Sequence, residues 1–545
     1  MQLVSEGQQN IILNGNPSKT FFKTTYSKYT NFGLQKFRVD FEGTPTMKLT
    51  ESSFFTFKIP RYADLLMDCY LSFDLPNIWS PIIPPDSNNG ELWSPYEFKW
   101  IEYIGAQMIS KIEITCGNQT LQEFSGSYLL SLVQREFNTD KKALFEKMVG
   151  HVKENYDPAN SGTRVNAYPN AYYTSNVLGA EPSIRGSTLY VPLNTWFNIK
   201  SQMAFPLVAL QYNELRINIT LRPIYELFRI RDVYDTINNY PYIAPNFNLY
   251  YMQFYRFLQT PPDINLGVTS YSDLRTIWNA DIHLNCTYCF LSNKESNLFA
   301  LNEQKYLIKQ PKEQLFYNVT GSNKIDMNSL GMVSSYTFYL QRSDVNLRNE
   351  WSNYTNWTYD YLPQDITSAP TSNTTGIDTD ITLGPGLEVD GTASNLYITG
   401  VYTIANKKEI LISMGLLLDG EYRENTQPEG VFNYVEKYTR TNGNGPDGLY
   451  FYSFSLNNSP YEIQPYGGMN MSRFTNIQME LVTITPPLDS NAQSLSICDP
   501  QTGNIVGINK PTWNIYLYNY NLYLFEERYN MVIFTAGNAG LLYAL

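Results

Sequence analysis

The chain has 545 residues, with 39 Lys and Arg against 51 Asp and Glu and a formal charge of −12. That length exceeds what one hydrophobic core spans, so at least two core-forming units are expected. The acidic balance argues against nucleic acid as the main partner, since phosphate binding needs clustered Lys and Arg.

Aromatic residues make up 15% of the chain, led by 44 Tyr and 29 Phe. Aromatic side chains suit pleated, half-buried surfaces, so a β-rich chain with many loops is expected. The opening MQLVSEGQQN has neither the basic nor the apolar region of a secretory leader. Next comes NPSKTFFKTTYSKYTNF (Asn16 to Phe32), crowded with aromatics, threonines and lysines. It is expected to form the first strand and its lead-in, with the aromatics anchoring a core. From Lys19 to Arg61 eight basic residues face three acidic ones, leaving +5 there and −17 elsewhere. This reads as a solvated strand face or a docking surface for something anionic.

ADLLMDCYLSF (Ala63 to Phe73) alternates strictly, putting Ala63, Leu65, Met67, Cys69, Leu71 and Phe73 on one face. The best helical pattern runs from about Ser127 to Gly150 and closes on that glycine. A low-hydrophobicity insertion covers Tyr156 to Gly186, and LRINITLRP then alternates Leu215, Ile217, Ile219 and Leu221 against polar residues. The Pro-rich stretch around Pro241 and Pro245 suggests a junction near PNFNLYYMQF.

ADIHLNCTYCF (Ala280 to Phe290) repeats the Ala, Asp, Cys and Phe of Ala63 to Phe73 at identical offsets. The echo suggests two similar β units in tandem, with one over residues 1–230 and the other over 231–545. A second insertion, Ser343 to Asn395, reads with the first as decoration on the ends of a sandwich. Tyr450, Tyr452, Phe454 and Leu456 are expected to share one strand face, and Ile477, Met479 and Leu481 another. MVIFTAGNAGLLYAL at the end is too short and Gly-interrupted to span a bilayer, so it reads as a buried strand or hairpin.

Chemistry is sparse. With only His151 and His283, a histidine metal site or a Ser-His-Asp relay has few ways to exist. His283 falls on the polar face of its strand, and His151 follows a helix-ending glycine where a C-terminal charge is the simplest role. Cys286 and Cys289 have C-x-x-C spacing, but strand residues three apart face opposite ways and cannot share a metal. Five cysteines in a chain of this size make no disulfide framework, which suits a reducing compartment. No catalytic residue, cofactor-binding residue or metal ligand is assigned. The clusters Trp93 to Trp100 and Trp351 to Trp357 leave one alternative open, a carbohydrate-binding or glycoside-hydrolysing β-sandwich.

Several blocks in order resemble the major capsid proteins of nucleocytoplasmic large DNA viruses. They are Gly15 to Pro17, Thr20 to Lys23 and Thr30 to Phe32; IPRYADLL with YLSFDLP; Glu303 to Gln310; Leu418 to Glu424; Tyr450 to Phe474; and YNYNLYLF with GNAGLLY. The resemblance implies an all-β double jelly roll, two eight-stranded antiparallel sandwiches with long loops and a few short helices. It also implies a non-enzymatic homotrimer, forming pseudo-hexagonal capsomers of an icosahedral virion made in the host cytoplasm. The implied partners are neighbouring capsomers, minor capsid proteins and an internal membrane layer, without sequence-specific nucleic-acid binding. No cofactor is implied.

Overall fold

The computed structural model describes residues 7–80, 82–83, 94–171, 180–235, 240–260, 278–359, 366–368, 397–399, 407–489, 495–498, 501–502, 505–509 and 515–543. Trp93, much of the second insertion and part of the first lie outside them.

The first roll is built from β1 (Phe32–Asp40), β2 (Ser53–Lys58), β3 (Leu65–Leu75), β4 (Ile109–Cys116), β5 (Gln119–Phe124), β6 (Ser187–Pro192), β7 (Leu215–Leu221) and β8 (His283–Leu291). The second uses β9 (Gln304–Phe316), β10 (Ser322–Asp326), β11 (Met332–Arg342), β12 (Leu411–Leu418), β13 (Glu421–Pro428), β14 (Leu449–Ser453), β15 (Ile477–Thr483) and β16 (Tyr520–Thr535). The pairing orders are β1-β8-β3-β6 and β2-β7-β4-β5 in the first roll, β9-β16-β11-β14 and β10-β15-β12-β13 in the second. Adding eight to each number of the first pair of sheets gives the second pair. Each roll is thus an antiparallel jelly roll with the same winding, and facing its two sheets together buries one side of each.

Single-faced burial is clearest where the sequence alternates. β7 and β15 each bury every second residue, Leu215 through Leu221 and Ile477 through Thr483. β14 departs from that rule: Leu449 through Tyr452 are all buried, and Leu456 lies exposed beyond the strand. A helix from the other roll covers the second face of β14. The chain closes as the expected hairpin, with Thr535 opposite Asn538 and the positive-φ pair Ala536–Gly537 turning between them.

Three expectations are corrected. The echo does not mark one strand in each of two tandem units, because β3 and β8 are neighbours in a single sheet with Cys69 directly opposite Cys286. Neighbouring strands facing the same core carry similar side chains, and this produces the likeness. β3 also breaks its alternation. Tyr288 pairs with Leu66 while Cys286 pairs with Cys69, so a bulge at Met67–Asp68 turns Leu66 inward and leaves Leu65 on the outer face.

The division at 230/231 is displaced as well. β8 completes the first roll's sheet, and Met252, Phe254 and Phe257 extend the same core. The rolls therefore meet at the helix Asn293–Leu301, between β8 and β9, whose start is tied back by Asp64. The Asp64 carboxylate accepts from the Leu291 N–H at 2.8 Å and the Ser296 hydroxyl at 2.6 Å.

Candidate assembly surfaces

The predicted helix of Ser127 to Gly150 is two helices, α1 (Gly126–Glu136) and α2 (Thr139–Met148). Asn138 breaks them by capping the second, its side chain accepting from the Lys141 N–H at 2.9 Å. Both lie between β5 and β6, and α1 docks on the outer face of the second roll's β9-β16-β11-β14 sheet. Its cap residue Ser125 donates its N–H to Glu313 at 2.6 Å, the Tyr128 hydroxyl donates to Glu527 at 2.9 Å, and Arg135 reaches Glu527 at 2.7 Å. Arg135 also bonds Thr337 and stands 4.9 Å from the Phe451 ring. Burial alone would raise the Glu527 carboxyl, but Arg135 and Lys309 hold it below the usual carboxylate range.

The other end of the seam is made by the start of the second insertion, expected to be decoration. Instead Asn349 donates to the carbonyls of Tyr225 and Phe228 at 2.7 and 2.9 Å, and Glu350 pairs with buried Arg229. The Trp351 indole N–H donates to the Glu226 carbonyl at 3.0 Å, with Arg222 stacked 4.4 Å over its ring. Residues of both rolls share one hydrophobic cluster, including Phe205 of the first roll against Phe534 of the second. The two rolls are fixed side by side.

The N-terminal segment is also unlike its reading. β1 starts only at Phe32, and Phe21, Phe22, Tyr26 and Tyr29 ahead of it are exposed, Phe22 at 98%. The helix Gln8–Asn14 buries none of its residues, leaving Ile11, Ile12 and Leu13 open. This arm runs off the edge of the sheet, and among the described residues no core lies against its rings. Lys19, Lys23 and Lys28 along it are exposed and make no ion pair among the described residues.

The second roll has its own helical segment between β13 and β14. Val431–Val435 winds as a π-helix and Glu436–Arg440 as an α-helix. Phe432 and Lys437 point inward and are buried, whereas Tyr434, Val435 and Tyr438 are exposed, Tyr438 at 89%. This segment stands where α1 stands in the first roll, so the same sheet insertion ends in a covered face once and an open face once.

The singled-out chemical residues serve packing. His151 is stacked between Tyr103 and Tyr156, at 3.8 and 4.4 Å between ring centroids. Burial, then nearby Lys142, lowers its pKa to about 4, so it is neutral at pH 7 and not the helix-end charge expected. The His283 Nδ1 lies 2.6 Å from the Asp281 carbonyl oxygen. Cys286 joins the main core and Cys289 a separate cluster on the other face with Leu65 and Ala204, as their spacing requires. Among the described residues no group of His, Cys, Asp and Glu could hold a metal. Trp100 is fully buried, and Trp351 is held by Arg222 and Glu226, so neither forms an open platform for a sugar ring.

Residues 20–257 match the family described as "Major capsid protein N-terminus", and residues 295–532 match "Large eukaryotic DNA virus major capsid protein". The space between the matches contains β8 and the start of the linking helix. The major capsid protein of Phaeocystis pouchetii virus is 25% identical, with 96% of each chain covered. That of Paramecium bursaria Chlorella virus 1 is also 25% identical, covering all of this chain and 98% of the other. Among solved structures, PBCV-1 VP54 superposes with a TM-score of 0.59 at 20% identity, covering 96% of this chain and 100% of that one. The Faustovirus major capsid protein gives 0.60 at 13% identity, covering 97% and 95%. These superpositions share the double jelly-roll fold.

Proposed function

This chain belongs to the major capsid proteins of large eukaryotic DNA viruses, and we propose that three copies close into a ring of six rolls that tiles the shell. It is a structural protein of the virion capsid and not an enzyme.

One observation carries the ring. Two rolls of identical strand order lie side by side, joined through a helical insertion of the first that covers the outer sheet of the second. Such a contact is heterologous, and repeating it from the second roll to the next copy's first roll gives a closed ring if the rotation closes. The open face of Val431–Arg440 is the counterpart of the covered α1. Tyr434, Val435 and Tyr438 would dock on the next copy's β1-β8-β3-β6 sheet, where Phe32, Leu34 and Tyr190 are exposed. Tyr is favoured at such sites because its ring buries a large area while its hydroxyl stays satisfiable.

The arm, with its exposed Ile, Phe and Tyr side chains and three lysines, extends from the same chain toward neighbouring capsomers, minor capsid proteins or an anionic inner membrane layer. Native mass measurement at micromolar concentration should give about three times the 62.7 kDa chain, and a stable monomer would refute the ring. Tyr434→Glu with Tyr438→Glu should yield a folded monomer whose melting temperature falls below that of the trimer and no longer depends on protein concentration. A variant that still forms trimers would place the contact elsewhere.

A further inference from the structure

The echoed strands bring two thiols together that the capsid role does not use. Cys69 at the middle of β3 and Cys286 at the middle of β8 are direct cross-strand partners, with their sulfurs 3.5 Å apart. The Cys69 carbonyl accepts from the Leu193 N–H at 3.2 Å, on the β6 side of the strand. In an antiparallel strand a residue's N–H and C=O point the same way, so Cys69 and Cys286 form a pair that exchanges no backbone hydrogen bonds. Such pairs bring Cα atoms to about 4.5 Å and the side chains closest, which falls inside the separation a disulfide tolerates. Both side chains point into the core between the two sheets, at 1% and 0% exposure. Cys116 and Cys289, also buried, are unlike them: Cys116 pairs with Gln119 and Leu215, and Cys289 with Leu34 and Leu65.

We propose that Cys69 and Cys286 are a disulfide site, dithiol while the chain is in a reducing compartment and oxidised by a small-molecule disulfide such as glutathione disulfide. One cysteine thiolate attacks a sulfur of the reagent, forming a mixed disulfide and expelling one glutathione thiolate. The second cysteine thiolate then attacks the protein-bound sulfur, the Cys69–Cys286 bond forms, and the second glutathione leaves. The two cysteine sulfurs are oxidised, the reagent is reduced to two thiols, and the two cysteine protons pass to the departing thiolates. Burial raises the Cys69 thiol well above its usual range, so in the closed roll it is a poor nucleophile. The exchange occurs while the paired strands are still open to solvent, during folding or local opening, and closure of the core shields the product from reductants.

The bond would join residues 217 apart in sequence. It would latch the last strand of the first roll, synthesised after the other seven, onto that roll's centre. A bond across so long a loop restricts the unfolded chain strongly.

The test is to refold the full chain from guanidinium in a glutathione redox buffer. The product is then denatured with N-ethylmaleimide and its intact mass measured. Three of the five cysteines should be alkylated, rising to five after dithiothreitol, and a digest should yield a peptide linking Cys69 to Cys286. Alkylation of all five without reductant overturns the proposal, as does a link between any other cysteines. The oxidised wild type should melt about 3 °C or more above its reduced form, and Cys69→Ala should show no difference between the two buffers. Equal melting of the two wild-type forms would overturn the latch.

Discussion

The two rolls share a strand order and differ in what covers them. In the second roll the outer face of β9-β16-β11-β14 is closed by α1, so Ser335, Thr337, Phe451 and Glu527 are all buried there. In the first roll the corresponding face of β1-β8-β3-β6 still shows Leu34 and Tyr190 to solvent, and β1 is exposed along most of its length. One winding therefore gives a finished surface and an unfinished one within a single chain. The difference teaches where to look for neighbours. In the proposed ring, the face that the fold closes in one copy of the motif and leaves open in the other is where a second chain would complete the pattern.

The sharpest way to break the finished side is Glu527→Ala. It leaves Glu136 as the one carboxylate paired with the buried Arg135 guanidinium among the described residues and strips the Tyr128 hydroxyl of its acceptor. Removing one partner of a buried pair costs about 3 kcal/mol. Urea unfolding should show that loss together with a second transition, as the rolls separate before they unfold. The exposed pair Arg216–Glu42 is the control, where Glu42→Ala should cost less than about 1 kcal/mol.

A second comparison sets the His151 stack against the second roll, whose insertion between β13 and β14 contains no histidine. Burial and the nearby Lys142 hold the His151 imidazole at about 4 in the folded chain, below the usual histidine value of about 6.5. Between those values the unfolded chain binds more protons than the folded one, so stability falls as pH drops through that window and levels off below it. His151→Phe keeps the stack between Tyr103 and Tyr156 and removes the titration. At pH 4 it should exceed wild type by roughly 3 kcal/mol and match it at pH 7.5, as read by chemical denaturation at each pH. Equal acid sensitivity would mean that the ring stays solvated.

A smaller effect tests how closely the loop after Val431–Arg440 fits against α1. The Gly443 N–H donates to the Arg135 carbonyl at 2.8 Å, and a Cβ there would come within 2.7 Å of the carbonyl oxygens of Arg135 and Phe137. Backbone atoms cannot step aside as a flexible side chain can. Gly443→Ala should cost about 1.5 kcal/mol in the urea midpoint with an unchanged slope.

How much of this was legible depended on how many faces of a strand are buried. β7 and β15, each with one buried face, announce themselves by alternation in Leu215–Leu221 and Ile477–Thr483. β11 does not, because α1 supplies its second burial from about 200 residues away in sequence; in β14 the alternation of Tyr450, Tyr452 and Phe454 is legible, but the burial of Phe451 under Arg135 is not. The echo was real as a pattern and misread as topology: adjacent strands lining one core select the same residues, and a sequence comparison cannot distinguish them from two copies of a unit. The seam residues Arg135, Glu527 and Asn349 carried no local signal, since their partners lie across the chain. The blocks shared with the capsid family were readable because they are local.

The N-terminal arm departs furthest from its expected place, since the rings expected to anchor a core stand exposed ahead of β1. Phe21, Phe22, Tyr26 and Tyr29 leave an apolar segment exposed, and nothing in their spacing names a surface for it. That makes the arm's lysines the smallest and most discriminating perturbation. Lys19, Lys23 and Lys28 are exposed, and exposed substitutions away from packing or caps move stability by no more than about 0.5 kcal/mol. Replacing all three with Gln should leave the melting temperature and the proposed trimer intact. If the arm meets an anionic inner layer, the same variant should lose binding to anionic lipid vesicles and assemble with a weaker dependence on salt, because screening acts on charges that face one another across a surface. If assembly and its salt dependence stay at wild-type values, the rings alone would carry the arm's contact, and the open side of the chain would be closed by burial of apolar surface alone.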